Sequence, residues 1–372
     1  MNAIKYHTGK FPPKKLNLEQ LLPFVGPANA AVARYDGVLS AIPNAAVLLS
    51  PLTTQEAVLS SKIEGTQATM GEVLEFEAEG GKKEIPEEKR EDIFEVLNYR
   101  KAMRHAETLM KELPLCQRVI KSVHKVLLNG VRGHGKAPGE YRRVPNWIGP
   151  YGCSMKDARF IPISAGDLPD AMGAWDRYVN SDAPDRLIQL AILHAELEAL
   201  HPFLDGNGRL GRMCIPLFMY QANLIHRPMF YISAYFDAHR EEYYERLLAV
   251  SRDDDWSGWC TFFLSAVRQQ AESNLTKANA VLELYNDMKL KIAAISHSRF
   301  SIHTLDWIFE KPIFNSTDFM KASGIPKPTA TRILRVLREK KIIQTWRPAR
   351  GSKPAVYAYV DLLNIAEGYE AF

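Results

Sequence analysis

Residues 201–212 read HPFLDGNGRLGR, which places a histidine, an acid, an asparagine between two glycines and two arginines within one short stretch. Strongly apolar runs flank it, APDRLIQLAILHAELEALHPF (183–203) before and GRLGRMCIPLFMYQANLI (208–225) after. Both runs predict helices that cross a core, so DGNGR (205–209) becomes a tight turn feeding backbone N–H groups into the second helix. Such a turn binds anions, because unpaired N–H groups and the helix dipole point at one spot. Gly206 and Gly208 allow positive φ and close approach of a phosphate, while Arg209 and Arg212, three apart, project from one helical face as a clamp. A triphosphate would satisfy all of them. Asp205 then suits a Mg²⁺ shared with phosphate oxygens, and the His201 imidazole suits removal of a proton from an attacking hydroxyl. The competing reading is that the glycines only turn the chain and that the arginines pair with Asp205. His194, Glu198 and His201, at i, i+4 and i+7, share a helical face but lack the HExxH order of a zinc site, so His194 is read as a hydrogen-bonded core residue.

Outward from the turn, EDIFEVLNYRKAMRHAETLMKELP and CQRVIKSVHKVLLNG, within 91–130, carry apolar residues at three- and four-residue spacing and predict two helices. GEYRRVPNWIGPYGCSMKDARFIP (139–162) breaks that pattern with turn residues and short β-prone pieces, as a hairpin-like flap would. SPLTTQEAVLSSKIEG (50–65) predicts a short helix opened by a Thr53–Glu56 capping box and stopped by Gly65. Glu64 falls in its last turn, where a carboxylate opposes the helix dipole and therefore faces solvent or a cation. Residues 1 to about 45, Pro-rich and weakly patterned, predict an arm on the surface. Further helix is expected over 238–297. The fold class is mainly α.

At 372 residues and 46% hydrophobic, the chain is long enough for two or three domains with sizeable cores. Cys116, Cys153, Cys214 and Cys260 are widely spaced with no CxxC pair, which argues against a disulfide framework and fits a reducing cytoplasm. No apolar run reaches the roughly 18 residues of a membrane span, and the opening residues lack a signal-peptide core, so a cytoplasmic protein without a membrane partner is expected. Net charge is only +4, yet residues 311–353 hold eleven Lys/Arg against Asp318 and Glu339. That segment is a separate basic module.

The module, NSTDFMKASGIPKPTATRILRVLREKKIIQTWRPARGSKPAVYAYV (315–360), predicts helix, turn at Ser323–Gly324, helix, then a hairpin. Ala330, Ile333, Leu334 and Leu337 form its inward stripe, and Pro326 or Pro328 suits the second helix's start. It looks like a winged helix-turn-helix. DNA binding through 311–353 and a protein-docking or dimerising role fit this reading equally.

HPFLDGNGRLGR closely resembles the signature of Fic-domain proteins, His-x-Phe-x-[Asp/Glu]-Gly-Asn-Gly-Arg-x-x-Arg, with every defining position filled. The resemblance implies transfer of AMP from ATP to a Tyr, Thr or Ser hydroxyl of a protein, which includes the chain itself as a target. It implies His201 as the base, Asp205 as the Mg²⁺ ligand, and Gly206, Asn207, Gly208, Arg209, Leu210, Gly211 and Arg212 as the nucleotide-binding stretch, Arg212 orienting the γ-phosphate. It implies that 144–162 is a flap holding the target by strand pairing, and that a Tyr-bearing helix lines the adenine pocket, with Tyr243 as its contact. SSKIEG matches the family's inhibitory motif [Ser/Thr]-x-x-x-Glu-[Gly/Asn] at Ser60, Glu64 and Gly65, implying a Glu64–Arg212 pair that blocks productive ATP binding within one chain. Some members with this glutamate also remove AMP, and nothing in the sequence separates the two directions. The expected architecture is therefore an N-terminal arm and inhibitory helix (1–90), a Fic-type helical core with a small β-hairpin flap (91–297) and a winged helix-turn-helix (298–372). A DNA-binding transcriptional regulator that uses the Fic core as a nucleotide sensor is the rival function, which His201 argues against, since sensing needs no base. A homodimer is compatible with either.

Overall fold

The computed structural model describes residues 3–81, 85–131, 135–150, 152–351 and 353–372. In chain order the first elements are β1 (Ile4–Lys5), α1 (Leu18–Ala41), α2 (Ala45–Leu48), α3 (Ser50–Ile63), α4 (Met70–Ala78), α5 (Glu87–Leu109) and α6 (Gln117–Leu127). A 3₁₀ turn (Met155–Asp157) and β2 (Phe160–Ile161) lead to α7 (Leu168–Val179), α8 (Arg186–Leu200), α9 (Asn207–Gln221), α10 (Ser233–Ala238), α11 (Arg240–Asp253) and α12 (Trp256–Ser296). The chain ends with α13 (Ser301–Glu310), β3 (Ile313–Asn315), α14 (Ser316–Ala322), α15 (Lys327–Glu339), β4 (Gln344–Arg347), β5 (Val356–Ala358) and α16 (Val360–Glu367). The structure is mainly helical. Two compact units are discontinuous in sequence: 1–36, 59–66 and 97–272 form one, and 37–58, 67–96 and 273–372 the other. The stretch carrying Ser60 and Glu64 thus belongs with 97–272.

In the first unit α8 and α9 pack along each other and are buried over nearly their whole length. Gly211 leaves room for the Glu198 carboxylate between them: a Cβ there would stand 2.2 Å from Glu198 Oε1. The expected surface arm is instead largely the helix α1. Leu21, Ala28, Ala31, Val32 and Tyr35 recur at helical spacing and are buried, and this apolar face outweighs Pro23 and Pro27 inside the helix. Ahead of it, β1 pairs in parallel with β2, Ile4 facing Phe160. The flap is correspondingly spare. Ile148 bridges Phe160 antiparallel, so the expected hairpin is one bridge with β1 added on the far side; Tyr151 within it lies outside the described residues.

α3 begins at Ser50, not at the Thr53 capping box. Thr53 sits inside the helix, and its Oγ1 donates back to the Leu49 carbonyl at 3.3 Å, the bond a threonine makes within a helix rather than at its cap. Gly65 stops the helix as expected, with φ +103°.

In the second unit β3, β5 and β4 form an antiparallel sheet in that order, Ile313 facing Ala358 and Thr345 facing Tyr357. Asn315 caps α14 by accepting from Asp318 N at 2.8 Å. Gly324 takes φ +71° in the turn, and α15 starts after Pro326. Ala330, Ile333, Leu334 and Leu337 are the buried stripe of α15. All four cysteines are free, and among the described residues no helix is long and apolar enough to cross a membrane.

Candidate active site

Pro202 ends α8 by disfavouring helical geometry at the residue before it, and His201 takes a left-handed conformation, φ +45°. A non-glycine residue there costs about 1–2 kcal/mol, so something must hold it. Arg142 Nε donates to the His201 carbonyl at 3.0 Å and Asn146 Nδ2 at 3.3 Å. Arg142, itself buried, also donates to the carbonyls of Leu200 and Ile163, placing its charge on the negative end of α8. The turn that follows is closed by Asn207. Its Oδ1 accepts from Phe203 N and its Nδ2 donates to the Phe203 carbonyl, both at 2.9 Å. Gly206 then has φ +74°, and α9 opens at Asn207 with the N–H groups of its first turn unclaimed by the helix.

His124 on α6 forms the floor. Its ring stacks on Phe203 with centroids 3.7 Å apart. Nδ1 accepts from Gly139 N at 2.8 Å, which leaves Nε2 to donate to the Asp205 carbonyl at 2.9 Å. Asp205 keeps its side chain 29% exposed, with Oδ1 accepting from Gly206 N at 2.6 Å. Lys136 Nζ lies 3.4 Å from Oδ2 and Arg209 Nη2 3.6 Å from Oδ1. The arginine–Asp205 pairing of the competing reading is thus present, loosely, beside the turn.

Ser60 and Glu64 both meet Arg212. Arg212 Nε donates to Ser60 Oγ at 2.9 Å, and Nη2 donates to the Ser60 carbonyl and to Glu64 Oε1, each at 2.7 Å. Arg212 is buried, whereas Glu64 keeps about a third of its side chain in solvent. The carboxylate also lies over the head of α9, since a Cβ on Gly208 would stand 2.2 Å from Oε1. A negative group at a helix N-terminus is where a phosphate would bind.

Burial raises the Glu64 carboxyl, but Arg212, by charge and hydrogen bond, together with Arg209 and His201, brings it below the ordinary value. Burial lowers His201 to about 4 despite the nearby Glu64 charge, so the imidazole is neutral near pH 7 and able to accept a proton. Glu198 is pushed up to about 7, chiefly by burial.

Two family models match this chain, one described as Fic/DOC family N-terminal over residues 22–108 and one as Fic/DOC family over 114–219. Between them they take in more than half of it, including α3 and the whole turn. The chain is a Fic-domain protein. Over 132 residues it is 28% identical to the protein adenylyltransferase Fic of Drosophila grimshawi and equally to that of Drosophila melanogaster, a match covering 34% of this Fic chain. The match spans about a quarter, 25%, of those relatives. Among solved structures, a Fic family protein from Desulfovibrio desulfuricans superposes over 94% of this chain and 98% of its own, with TM-score 0.59 and 21% identity. Fic-1 from C. elegans covers 71% and 73%, with TM-score 0.51 and 18% identity. At such identities the likeness is one of fold.

The turn residues of this Fic protein stand together, but Tyr243, expected at an adenine pocket, is turned into the core. It is 1% exposed, its hydroxyl is 2.9 Å from His194 Nε2, and its ring stacks on Phe236 at 4.4 Å. A phenol on an aromatic-rich face buries its ring and finds its hydroxyl a partner inside. Tyr244 beside it keeps partial exposure. No motif in the sequence marks His124 or Arg142. The legible signal for His124 was its place on the apolar face of α6 with Ile120, Val123 and Leu127; Arg142 offered none, because its carbonyl partners come from elsewhere in the chain.

Proposed function

We propose that this Fic protein transfers AMP from ATP to a hydroxyl side chain of a protein and is held off in the same chain by Glu64. In the transfer, His201 takes the proton of the incoming hydroxyl, whose oxygen bonds to the α-phosphorus as the bond to the bridging oxygen breaks and pyrophosphate leaves. The N–H groups opening α9, with Gly206, Asn207, Gly208 and Arg209, would cradle the phosphates, and Arg212 would orient the γ-phosphate. Asp205 is a single, partly exposed carboxylate at this turn, a donor set that fits Mg²⁺ arriving with phosphate oxygens. When bound, the ion would neutralise phosphate charge. The Tyr244 ring supplies the accessible aromatic surface on α11 for a base.

The observation that carries the reading is the Glu64 carboxylate bonded to Arg212 while lying over Gly208. It occupies both the γ-phosphate clamp and the head of the phosphate-binding helix. The test is incubation with labelled ATP and Mg²⁺ in lysate, comparing wild type, Glu64→Gly and His201→Ala. Strong labelling by Glu64→Gly alone supports the proposal, and equal label with His201→Ala overturns it.

For residues 298–372, the order β3–β5–β4 with α14 and α15 joined by a tight turn supports reading them as a winged helix-turn-helix.

A further inference from the structure

We infer that the basic segment 311–353 binds double-stranded DNA, with α15 in the major groove and the β4–β5 hairpin against the phosphate backbone. The inference does not depend on AMP transfer. Lys327, Thr331, Arg335 and Arg338 fall at i, i+4, i+8 and i+11 of α15, and all four are exposed. They share a face within about 80° of arc that borders the buried stripe at Leu334. A helix of 13 residues is about 20 Å long, and the major groove, about 12 Å wide, admits one. Lys340 and Lys341 precede β4, and Arg350 and Lys353 pair across the hairpin that joins it to β5.

The disposition of charge separates structural cations from unused ones. Arg332 Nη1 donates to the Ser296 carbonyl at the end of α12, 2.7 Å away, and Arg347 pairs with Glu79. These two serve the fold. Among the described residues Arg335 has Glu339 as its only ion-pair partner, at 3.8 Å with both side chains mostly in solvent, a pair of little strength. Among the described residues, Lys327, Arg338, Lys340, Lys341, Arg350 and Lys353 have no ion-pair partner. Crowding unpaired cations on one helix face and its neighbouring hairpin is unfavourable alone and is relieved by a polyanion with regularly spaced charge. The exposed face of α15 offers no large apolar side chain, the anchor on which protein interfaces depend. Duplex DNA therefore matches it better than an acidic protein.

The test uses the full chain and a fluorescent duplex of about 25 base pairs of mixed sequence, followed by polarisation. Affinity should fall at least about tenfold between about 50 and 200 mM salt. Arg335→Glu/Arg338→Glu and Arg350→Glu/Lys353→Glu should each weaken binding about tenfold or more, whereas Lys14→Glu/Lys15→Glu, the same charge change on exposed lysines elsewhere, should shift it less than about twofold. Absence of binding at low salt overturns the inference, as does retention in the α15 and hairpin variants. Competition by single-stranded DNA of equal length, or by polyglutamate of equal charge, as effective as that by unlabelled duplex also overturns it.

Discussion

The Glu64 carboxylate occupies the space that a side chain on Gly208 would need, its Oε1 2.2 Å from the position of a Cβ there. Gly208 is helical and not left-handed, so backbone freedom does not explain it. What the glycine provides is an open surface over the first turn of α9, taken here by a carboxylate that also holds Arg212 at 2.7 Å. A charge-assisted hydrogen bond of this kind contributes about 1.5–3 kcal/mol, less where solvent reaches it, and one third of Glu64 is reached.

Removing that carboxylate frees both positions. Glu64→Gly should raise AMP transfer at least about tenfold, since each 1.4 kcal/mol of relieved competition is a factor of ten. Labelled ATP with Mg²⁺ checks it, scored on targets and on the chain itself. A variant as quiet as wild type in the presence of a validated target counts against the inhibitory role.

Gly208→Ala tests the surface from the other side. The new methyl displaces the Glu64 carboxylate from buried Arg212, so stability read from the denaturant midpoint should fall by about 1–3 kcal/mol, the worth of that bond. Nucleotide affinity should also fall about tenfold or more, even when combined with Glu64→Gly, because the methyl stands where the proposed function has a phosphate approach the helix. Calorimetric titration with ATP distinguishes the two effects; undiminished affinity would place the phosphates elsewhere.

On the proposed reading His201 is the base, and an imidazole accepts a proton only when neutral. With its pKa near 4 in the free protein, kcat/KM of the Glu64→Gly variant should lose activity as pH falls toward about 4 and stay level from there to neutrality. Removing Glu64 takes away a charge that raises the imidazole, so the limb moves lower still. An acid limb near 6.5 would mean an unburied imidazole. His201→Ala should cost about 10²–10⁴ in rate while ATP still binds.

Buried neutral histidines also make folding sensitive to acid. Burial lowers His124 to about 4 and His194 to about 3, against an ordinary value of 6.5. The unfolded chain therefore binds more protons below pH 6.5, and stability should be lost as pH falls from about 6.5 to 4, by up to about 1.4 kcal/mol per pH unit for each histidine. Glu198, raised to about 7, acts oppositely between 4.5 and 7, which blunts the loss near neutrality. Urea midpoints across this range check the slope, and His124→Gln should flatten it.

Local signals account for what residue order alone determined. Pro202 had to end α8, the glycines had to turn 205–209, and the apolar spacing had to make helices of both flanks, because each depends only on neighbours along the chain. The same holds for the stripe of α15 and for Gly65 as a stop. Tertiary structure decided the rest. Glu64 meets Arg212 across 148 positions, Arg142 holds the left-handed His201, Tyr243 goes inward while Tyr244 does not, and residues 4–5 become a third strand beside the flap. A side chain's periodic position says which face it is on, but which partner waits at that face is set by packing between elements distant in sequence.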